Sequence, residues 1–505
     1  LSPQFAFGWN HKGLSLDSLG RHEDAIGCFD KSLEIDPRNA GTWFNKGVSL
    51  EGLGRFDEAV RSYDEALEIA PRHAEALYHR GFSLGRLDRH EEAVRSFDNA
   101  LELDPLNATA WANMGVSLAS LGRHEEAVRS FDRALELDPK LAAMWASKAA
   151  SLVGLGRHED AVRSYDKVLE LDSRNGVAWR GKGASLDYLE RYEEARTCYD
   201  VALEIDPADA EAWSSKAAIL DSLGRPEEAL AGIDKALEIA PAEVGVWRSK
   251  GDILSRLGRY EEAIHAYDEA LELDPWSAET QNNKGLSLDS LGRHEGALAC
   301  YDGALEQNPG YADSWYNKGR SLYALGRYEE AIGCCEKVLE LDAQFALAWN
   351  HKGLSHSALG RHEEAVRCFD NAVEIDPLNA GSWSNMGISL TNLGRNDEAL
   401  RSYDTALGLE PNAVFVWYNK GLLLRELGRH EEAIECCDEV LELDPQYAMA
   451  LYGKALDQDQ LGRREDAIAS YQQFIAFNPT EHPEQLEYAQ QRVTELGEKP
   501  VEKSS

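Results

Sequence analysis

Apolar and polar residues recur at a fixed spacing through nearly the whole chain, and residues 37–70 show it best: PRNAGTWFNKGVSLEGLGRFDEAVRSYDEALEIA. Trp43 and Gly47 are four residues apart, which places them on one face of a first helix. Ala59 and Tyr63 have the same spacing in a second helix, after a turn of sequence LGR. The pattern therefore predicts two amphipathic helices joined by a short turn.

A proline marks the start of each period of 34 residues. Steps of 34 from residue 3 reach fifteen positions, of which thirteen are proline and the other two are Ser173 and Ala343. A fixed period of this size is typical of repeat arrays, in which each unit buries its apolar face against its neighbours. We therefore expect fourteen repeats over residues 1–478 in one array, a capping helix over 479–498 and a polar tail over 499–505. Positions within a repeat are counted below from this proline as zero.

The order of residue types within a repeat resembles the tetratricopeptide repeat family. The shared features are Trp at position 6, Gly or Ala at 10, Ala at 22, an aromatic residue at 26 and the proline itself. The resemblance covers residues 3 to about 478. It implies an all-α fold, a right-handed α-solenoid superhelix of 14 helix-turn-helix repeats, with an inner groove that binds proteins or extended peptides.

Position 9 departs from the family, which often has leucine there. It is basic in 12 of 14 repeats, and position 27 is acidic in 13 of 14. We predict that these lysines pair with second-helix acids of the same or the adjacent repeat, with their stems packed on apolar surface. Each tryptophan is expected to be mostly buried between the helices of its own repeat.

Composition narrows the classes of partner. The net charge of −37 argues against nucleic acid and against anionic membrane surfaces, because both need a basic face. No apolar run approaches the ~18 residues that span a bilayer. We expect a cytoplasmic protein, or an extracellular one if it forms filaments. The eight cysteines occupy small or core helix positions, so no disulfide is predicted.

No constellation in the sequence indicates catalysis. Seven of the 14 histidines share position 19, where Tyr or Phe stands in other repeats, so a structural role is favoured. Phosphate-binding glycine loops, nucleophile elbows and metal-ligand spacings were not found. We therefore expect no enzymatic activity, no metal and no cofactor.

The candidate binding residues lie on the first helices. Positions 4, 7, 8, 11, 14 and 15 form one stripe away from the Trp and Gly face. An asparagine at position 8 can both donate and accept, so a row of them could hold the backbone of an extended ligand through unpaired amides. The alternative is that these asparagines only satisfy helix ends and water. The candidates are Asn45, His79, Asn113, Asn283, Asn317, His351, Asn385 and Asn419 at position 8, with Arg180, Arg248, Tyr316 and Tyr418 at position 7.

Two functions follow from this reasoning. The first is a non-enzymatic scaffold that binds protein or peptide segments in the groove. The alternative is a structural subunit that assembles end to end into a helical filament, because Phe5, Phe7 and Trp9 belong to a first helix with no hairpin before it.

Overall fold

The computed structural model describes residues 5–477 and 482–497, and these residues form α-helices without any strand. This confirms the predicted all-α class. The helices of the first seven repeats are α1 (Ala6–Asp17), α2 (His22–Ile35), α3 (Ala40–Gly52), α4 (Phe56–Ile69), α5 (Ala74–Arg86), α6 (His90–Leu103), α7 (Ala108–Ser120), α8 (His124–Leu137), α9 (Ala142–Gly154), α10 (His158–Leu171), α11 (Gly176–Tyr188), α12 (Tyr192–Ile205), α13 (Ala210–Ser222) and α14 (Pro226–Ile239). The helices of the remaining repeats are α15 (Val244–Arg256), α16 (Tyr260–Leu273), α17 (Ala278–Ser290), α18 (His294–Gln307), α19 (Ala312–Ala324), α20 (Tyr328–Leu341), α21 (Ala346–Ala358), α22 (His362–Ile375), α23 (Ala380–Asn392), α24 (Asn396–Leu409), α25 (Val414–Glu426), α26 (His430–Leu443), α27 (Ala448–Gln460) and α28 (Arg464–Ala476), followed by α29 (Pro483–Gly497).

The chain divides into two compact units, Leu1–Ile253 (unit 1) and Leu254–Ser505 (unit 2). Within each unit, a first helix packs on the second helix of its own repeat, and that second helix packs on the next first helix. Each unit is thus a stack of helical hairpins. A single array over residues 1–478 stays a prediction.

The two helices of a hairpin approach closely because a glycine faces an aromatic ring. A Cβ atom added to Gly47 would lie 2.4 Å from the Tyr63 ring, and one on Gly13 would lie 2.4 Å from the Phe29 ring. Both rings are fully buried. In most hairpins the aromatic residue at position 26 therefore forms the core, and a glycine at position 10 provides the space for it; position 26 is instead Ile233, Cys335 or Cys437 in three repeats.

The tryptophans do not lie where they were predicted. Trp145 is half-buried and lines a cleft between the second helices α8 and α10 of adjacent repeats, rather than the interior of its own hairpin. Its indole N–H donates to the Pro139 carbonyl oxygen at 3.0 Å. The tryptophans therefore connect neighbouring repeats on the side that carries the second helices, which we call the second-helix side.

The predicted pairs between positions 9 and 27 are confirmed on this side. Lys148 Nζ lies 2.5 Å from Asp132 Oδ1, an acid of the preceding repeat. The same pair forms at Lys46–Asp30, Arg80–Asp64, Lys182–Asp166, Lys216–Asp200, Lys250–Asp234, Lys284–Asp268, Lys318–Asp302, Lys352–Glu336, Lys420–Asp404 and Lys454–Asp438. The pairs always join adjacent repeats.

Helix α29 packs on α28 and buries Ala489 against Tyr471 and Phe474. Residues 479–481 and 498 of the predicted capping helix, and the tail over 499–505, lie outside the described residues. Cys335 and Cys437 are buried as predicted, and burial raises the pKa of each thiol to about 12. None of the helices that the structure describes has the length and apolar character needed to cross a membrane.

Candidate binding surface on the first helices

The candidate binding surface consists of positions 7, 8, 11 and 14 of the first helices, which we call the first-helix face. Most candidate residues at position 8 are half-buried, and Asn317 is buried with 8% exposure. Position 8 therefore lies at the contact between consecutive first helices of a unit, where its side chains can reach the neighbouring repeat.

Several of the asparagines are paired across this contact. Asn317 Nδ2 donates to Asn282 Oδ1 at 3.1 Å, and Asn385 Nδ2 donates to Asn350 Oδ1 at 3.2 Å. Asn45 is bonded in the same way to Asn10, at 3.2 Å. The expectation of unpaired amides is therefore wrong at Asn45, Asn317 and Asn385. The physical reason is that positions 8 and 7 of successive repeats, 35 residues apart, are adjacent in space.

Other position-8 residues have different surroundings. Asn113 Nδ2 donates to the Tyr78 hydroxyl at 3.3 Å, and Asn283 Oδ1 accepts from Asn282 Nδ2 at 3.3 Å. Asn419 Nδ2 is buried and has no hydrogen-bond partner among the described residues. The expected uniform row of amides is thus a set of distinct local environments.

His79 belongs to a polar cluster around a residue that sequence reasoning missed, Glu51. The His79 Nδ1 atom lies 3.1 Å from Glu51 Oε1, while the hydroxyls of Tyr63 and Ser83 each donate to Glu51 Oε2 at 3.1 Å. Burial beside this carboxylate raises the pKa of Tyr63 well above its usual range. The signal in the sequence was the acid at position 14, which lies on the candidate stripe.

Unit 2 has a similar cluster around Asp289. Tyr301 Oη donates to Asp289 Oδ2 at 2.8 Å, and Ser321 Oγ donates to the same oxygen at 2.6 Å. The His294 ring nitrogen lies 2.9 Å from Asp289 Oδ1. This carboxylate joins two repeats and already has three partners.

The predicted arginines are not available as free cations. Arg180 forms an ion pair with Glu211, and its Nη1 lies 3.4 Å from Asp209 Oδ1. Arg248 also takes part in an interaction with its surroundings. The exposed cation on the first-helix face is instead Arg320, at position 11, for which the described residues provide no ion pair.

Arg320 lines a cleft of about 400 Å³ on the first-helix face of unit 2. We call it the Arg320 cleft, and its other lining residues are Leu286, Asp289, Ser290, His294, Ser321, Tyr323, Ala324 and His351. The ring centroid of His351 is 5.4 Å from that of Tyr316 and 5.7 Å from that of Tyr323. Burial and the nearby Arg320 lower the pKa of His351 to about 4, so the imidazole is neutral at pH 7. The cleft thus combines uncharged aromatic walls with one exposed guanidinium and with the Asp289 carboxylate, which is already bonded to Tyr301 and Ser321.

Comparison with known protein families decides the identity of the repeats. Models described as tetratricopeptide repeat match residues 6–39, 40–73, 78–142, 152–219, 210–243, 248–312, 282–344, 316–380, 368–401, 414–447 and 449–480. The chain belongs to the tetratricopeptide repeat family. This confirms the resemblance noted in the sequence, and it makes the chain a scaffold for protein interactions.

Several solved tetratricopeptide repeat structures are similar to parts of the chain. A crystal structure of MamA is 24% identical, covering 32% of this chain and 95% of MamA, with a TM-score of 0.31. YrrB, described as a TPR protein with an unusual peptide-binding site, is 26% identical, covering 38% and 98%, with a TM-score of 0.34. Yeast Tom70 is 18% identical, covering 84% and 96%, with a TM-score of 0.38. A search among curated proteins found no match.

The tyrosines predicted on tetratricopeptide repeats 10 and 13 contact the start of the following repeat. The Tyr316 ring centroid is 5.4 Å from that of Phe345, and the Tyr418 centroid is 5.2 Å from that of Tyr447. Burial raises the pKa of both Tyr316 and Tyr418, so each phenol stays protonated at neutral pH. Each ring therefore offers the first-helix face an aromatic surface with a hydroxyl group.

Proposed function

We propose that the first-helix face of unit 2 binds an extended protein segment, and that Arg320 anchors an acidic side chain of this segment. The observation that carries the proposal is the exposed Arg320 at a cleft of about 400 Å³ walled by Tyr323 and His351. Guanidinium–carboxylate bonds are charge-assisted and often bidentate, which gives them direction as well as strength.

The charge of the chain makes this cation distinctive. The net charge is −37, so an acidic ligand is repelled by most of the surface. In unit 1, the candidate arginine Arg180 already forms an ion pair with Glu211. Arg320 therefore favours one register of an acidic segment over others.

The paired asparagines still have capacity to hold the backbone of such a segment. An amide side chain carries two N–H donors and an oxygen with two lone pairs. The Asn385–Asn350 bond uses one donor of Asn385 and one lone pair of Asn350. Leu347 and Phe415, at position 4 of their first helices, are 46% and 58% exposed and provide apolar contacts in the same unit. Asn45, Asn113 and the remaining candidates stay proposed lining residues of their own units.

A displayed library of random twelve-residue peptides, selected against the full chain, tests the proposal. We expect selected peptides to share an acidic residue and to lose at least tenfold in affinity for Arg320→Gln, which corresponds to about 1.4 kcal/mol. Arg293→Gln is the matched control, because Arg293 is also exposed in unit 2 but pairs with Glu261 at 3.0 Å. Equal affinities for the two variants would refute the role of Arg320.

A second proposal is end-to-end association of copies of the chain. It rests on Phe5, which is 50% exposed, whereas Phe345 at the same position of repeat 11 packs against Tyr316 of the preceding repeat. Light scattering at micromolar concentration should then show a mass that rises with protein concentration and falls for Phe5→Ser/Phe7→Ser. A constant monomer mass with and without salt would refute it.

A further inference from the structure

The array of lysines on the second-helix side is interrupted at two places. Position 9 is Met114 in repeat 4 and Met386 in repeat 12, whereas every other repeat has Lys or Arg there. Each methionine is buried, with 6% and 5% exposure respectively. At these two repeats, the cleft beside the tryptophan contains a methionine in place of the lysine that lies there in most other repeats.

Repeat 5 shows the surroundings of this lysine. Lys148 Nζ lies 2.5 Å from Asp132 Oδ1 and 5.1 Å from the centroid of the Trp145 ring. The ammonium group therefore contacts a carboxylate and an indole face together, and both contacts favour a cation. The same arrangement, with distances to the ring of 5.1–5.6 Å, holds for Lys46, Lys182, Lys216, Lys250, Lys318, Lys352 and Lys420.

Repeat 4 keeps the carboxylate and the indole but lacks the ammonium. Asp98 and Trp111 line a cleft of about 450 Å³ together with Met114. In the part of the chain that the structure describes, Asp98 has no ion pair or hydrogen bond, and no cation lies over Trp111. Methionine fills the space of a lysine stem but ends in a methyl group, so Asp98 and Trp111 lack the ammonium that Lys148 provides in repeat 5. Partial burial raises the pKa of Asp98, and the charge of the nearby Arg123 offsets this only in part.

Repeat 12 repeats this arrangement in unit 2. Asp370, Trp383 and Met386 line a cleft of about 340 Å³. Over the described ranges, Asp370 also lacks an ion pair, and partial burial raises its pKa. Two independent positions thus combine the same substitution with the same unpaired acid.

Neighbouring arginines do not take the vacant place. Arg123, which lines the repeat 4 cleft, is held by Glu126 at 2.6 Å, and Arg395 of repeat 12 is held by Glu398 at 2.6 Å. Arg129 and Arg401 also line the two clefts, but within the described residues neither forms an ion pair with the aspartate.

The side chain that fits can be inferred from the other repeats. Wherever tryptophan stands at position 6 and position 9 is basic, the basic residue is lysine. Arginine occurs once at position 9, as Arg80, and its repeat has Leu77 in place of tryptophan. We propose that the clefts at Met114 and Met386 each accept the ammonium group of a lysine side chain from a partner protein. The overall charge of −37 favours the approach of such a lysine.

The chain offers a direct reporter, because it contains four methionines and two of them line these clefts. The full chain, labelled at the methionine methyl groups, is titrated with N-acetyl-lysine N-methylamide and observed by NMR. We expect saturable shifts of the Met114 and Met386 signals at millimolar ligand, and no shift of Met449. N-acetyl-norleucine N-methylamide, which lacks the ammonium, should leave all signals unchanged.

Asp98→Asn and Asp370→Asn are matched variants that keep both reporters. Asp98→Asn should remove the Met114 response and leave the Met386 response intact, and Asp370→Asn should do the reverse. Equal responses to the lysine and norleucine compounds, a response that survives Asp98→Asn, or no response at millimolar ligand would each overturn the proposal. n-Butylammonium, which is the isolated lysine side chain, should give the same two shifts, because the clefts contact only the ammonium and its stem.

Discussion

The two sides of the hairpins differ in how faithfully they repeat. On the second-helix side, the lysine of one repeat meets an acid of the preceding repeat in almost every period, as at Lys148–Asp132 and Lys318–Asp302, both 2.5 Å. On the first-helix face, the partners change from repeat to repeat. Asn317 pairs with Asn282, whereas Arg180 pairs with Glu211.

This difference separates shared structure from individual chemistry. An interaction present in nearly all repeats serves the stacking that all repeats need. A surface that changes between repeats can distinguish the successive residues of a bound segment. We therefore attribute stacking to the second-helix side and propose that an extended segment is selected on the first-helix face, while the two proposed lysine clefts lie where the stacking pattern is interrupted.

The largest expected loss of stability comes from the core of a hairpin, between its first and second helices. Phe131→Ala removes a fully buried ring at position 26 and should cost about 3–5 kcal/mol of unfolding free energy. In a quasi-one-dimensional array the loss should split the urea unfolding curve into separate transitions. Trp145→Ala is the control on the second-helix side, and its smaller loss follows from its partial exposure. A larger loss for Trp145→Ala would reverse the assignment of core and surface.

The second largest effect is a pH dependence of the unfolding free energy, which comes from His351 on the first-helix face. The His351 pKa of about 4 lies below its usual 6.5, so the unfolded state binds its proton first as the pH falls. The stabilisation from neutral His351 is present above pH 6.5 and is lost as the pH falls towards 4, up to about 3 kcal/mol.

Chemical denaturation of wild type and His351→Gln between pH 7.5 and 4 measures this. The variant should lose less stability over that range than wild type. Parallel pH profiles for the two proteins would show that His351 does not titrate in this way.

A third prediction addresses the close contact that separates the two sides. Gly47→Ala forces a Cβ atom against the Tyr63 ring and should cost about 1–3 kcal/mol. Gly27→Ala is matched, because Gly27 lies in helix α2 with nothing near its Cβ direction, and alanine favours a helix by about 1 kcal/mol. Thermal unfolding should therefore shift in opposite directions. Shifts of the same sign would contradict the close packing of Gly47 on Tyr63.

The smallest effect concerns the lysine array itself. Lys148→Met imitates repeat 4, and loss of a partly exposed ion pair should cost only about 0–1 kcal/mol. Met114→Lys is the converse change and should stabilise by a similar amount by pairing with Asp98. Denaturant midpoints compare the two, and a large loss for Lys148→Met would mean that these pairs hold the stack together.

Much of the fold could be predicted because the 34-residue period recurs along the sequence. Helix pairs, the glycine and aromatic contact, and the pairing of positions 9 and 27 all depend on spacing that recurs in most repeats. The site was predicted less well. The pairing of Asn317 with Asn282 depends on contacts between repeats, which a helical stripe does not reveal. Arg320 was missed because it stands alone and forms no row.

Site-specific crosslinking tests the central claim most directly. A photoreactive phenylalanine is placed at Tyr323, on the first-helix face, or at Lys337, which is 51% exposed on the second helix α20. Each protein is irradiated with a peptide selected from the displayed library. Crosslinks from position 323 and none from position 337 are predicted. Crosslinks from 337 alone would contradict the assignment of ligand binding to the first-helix face.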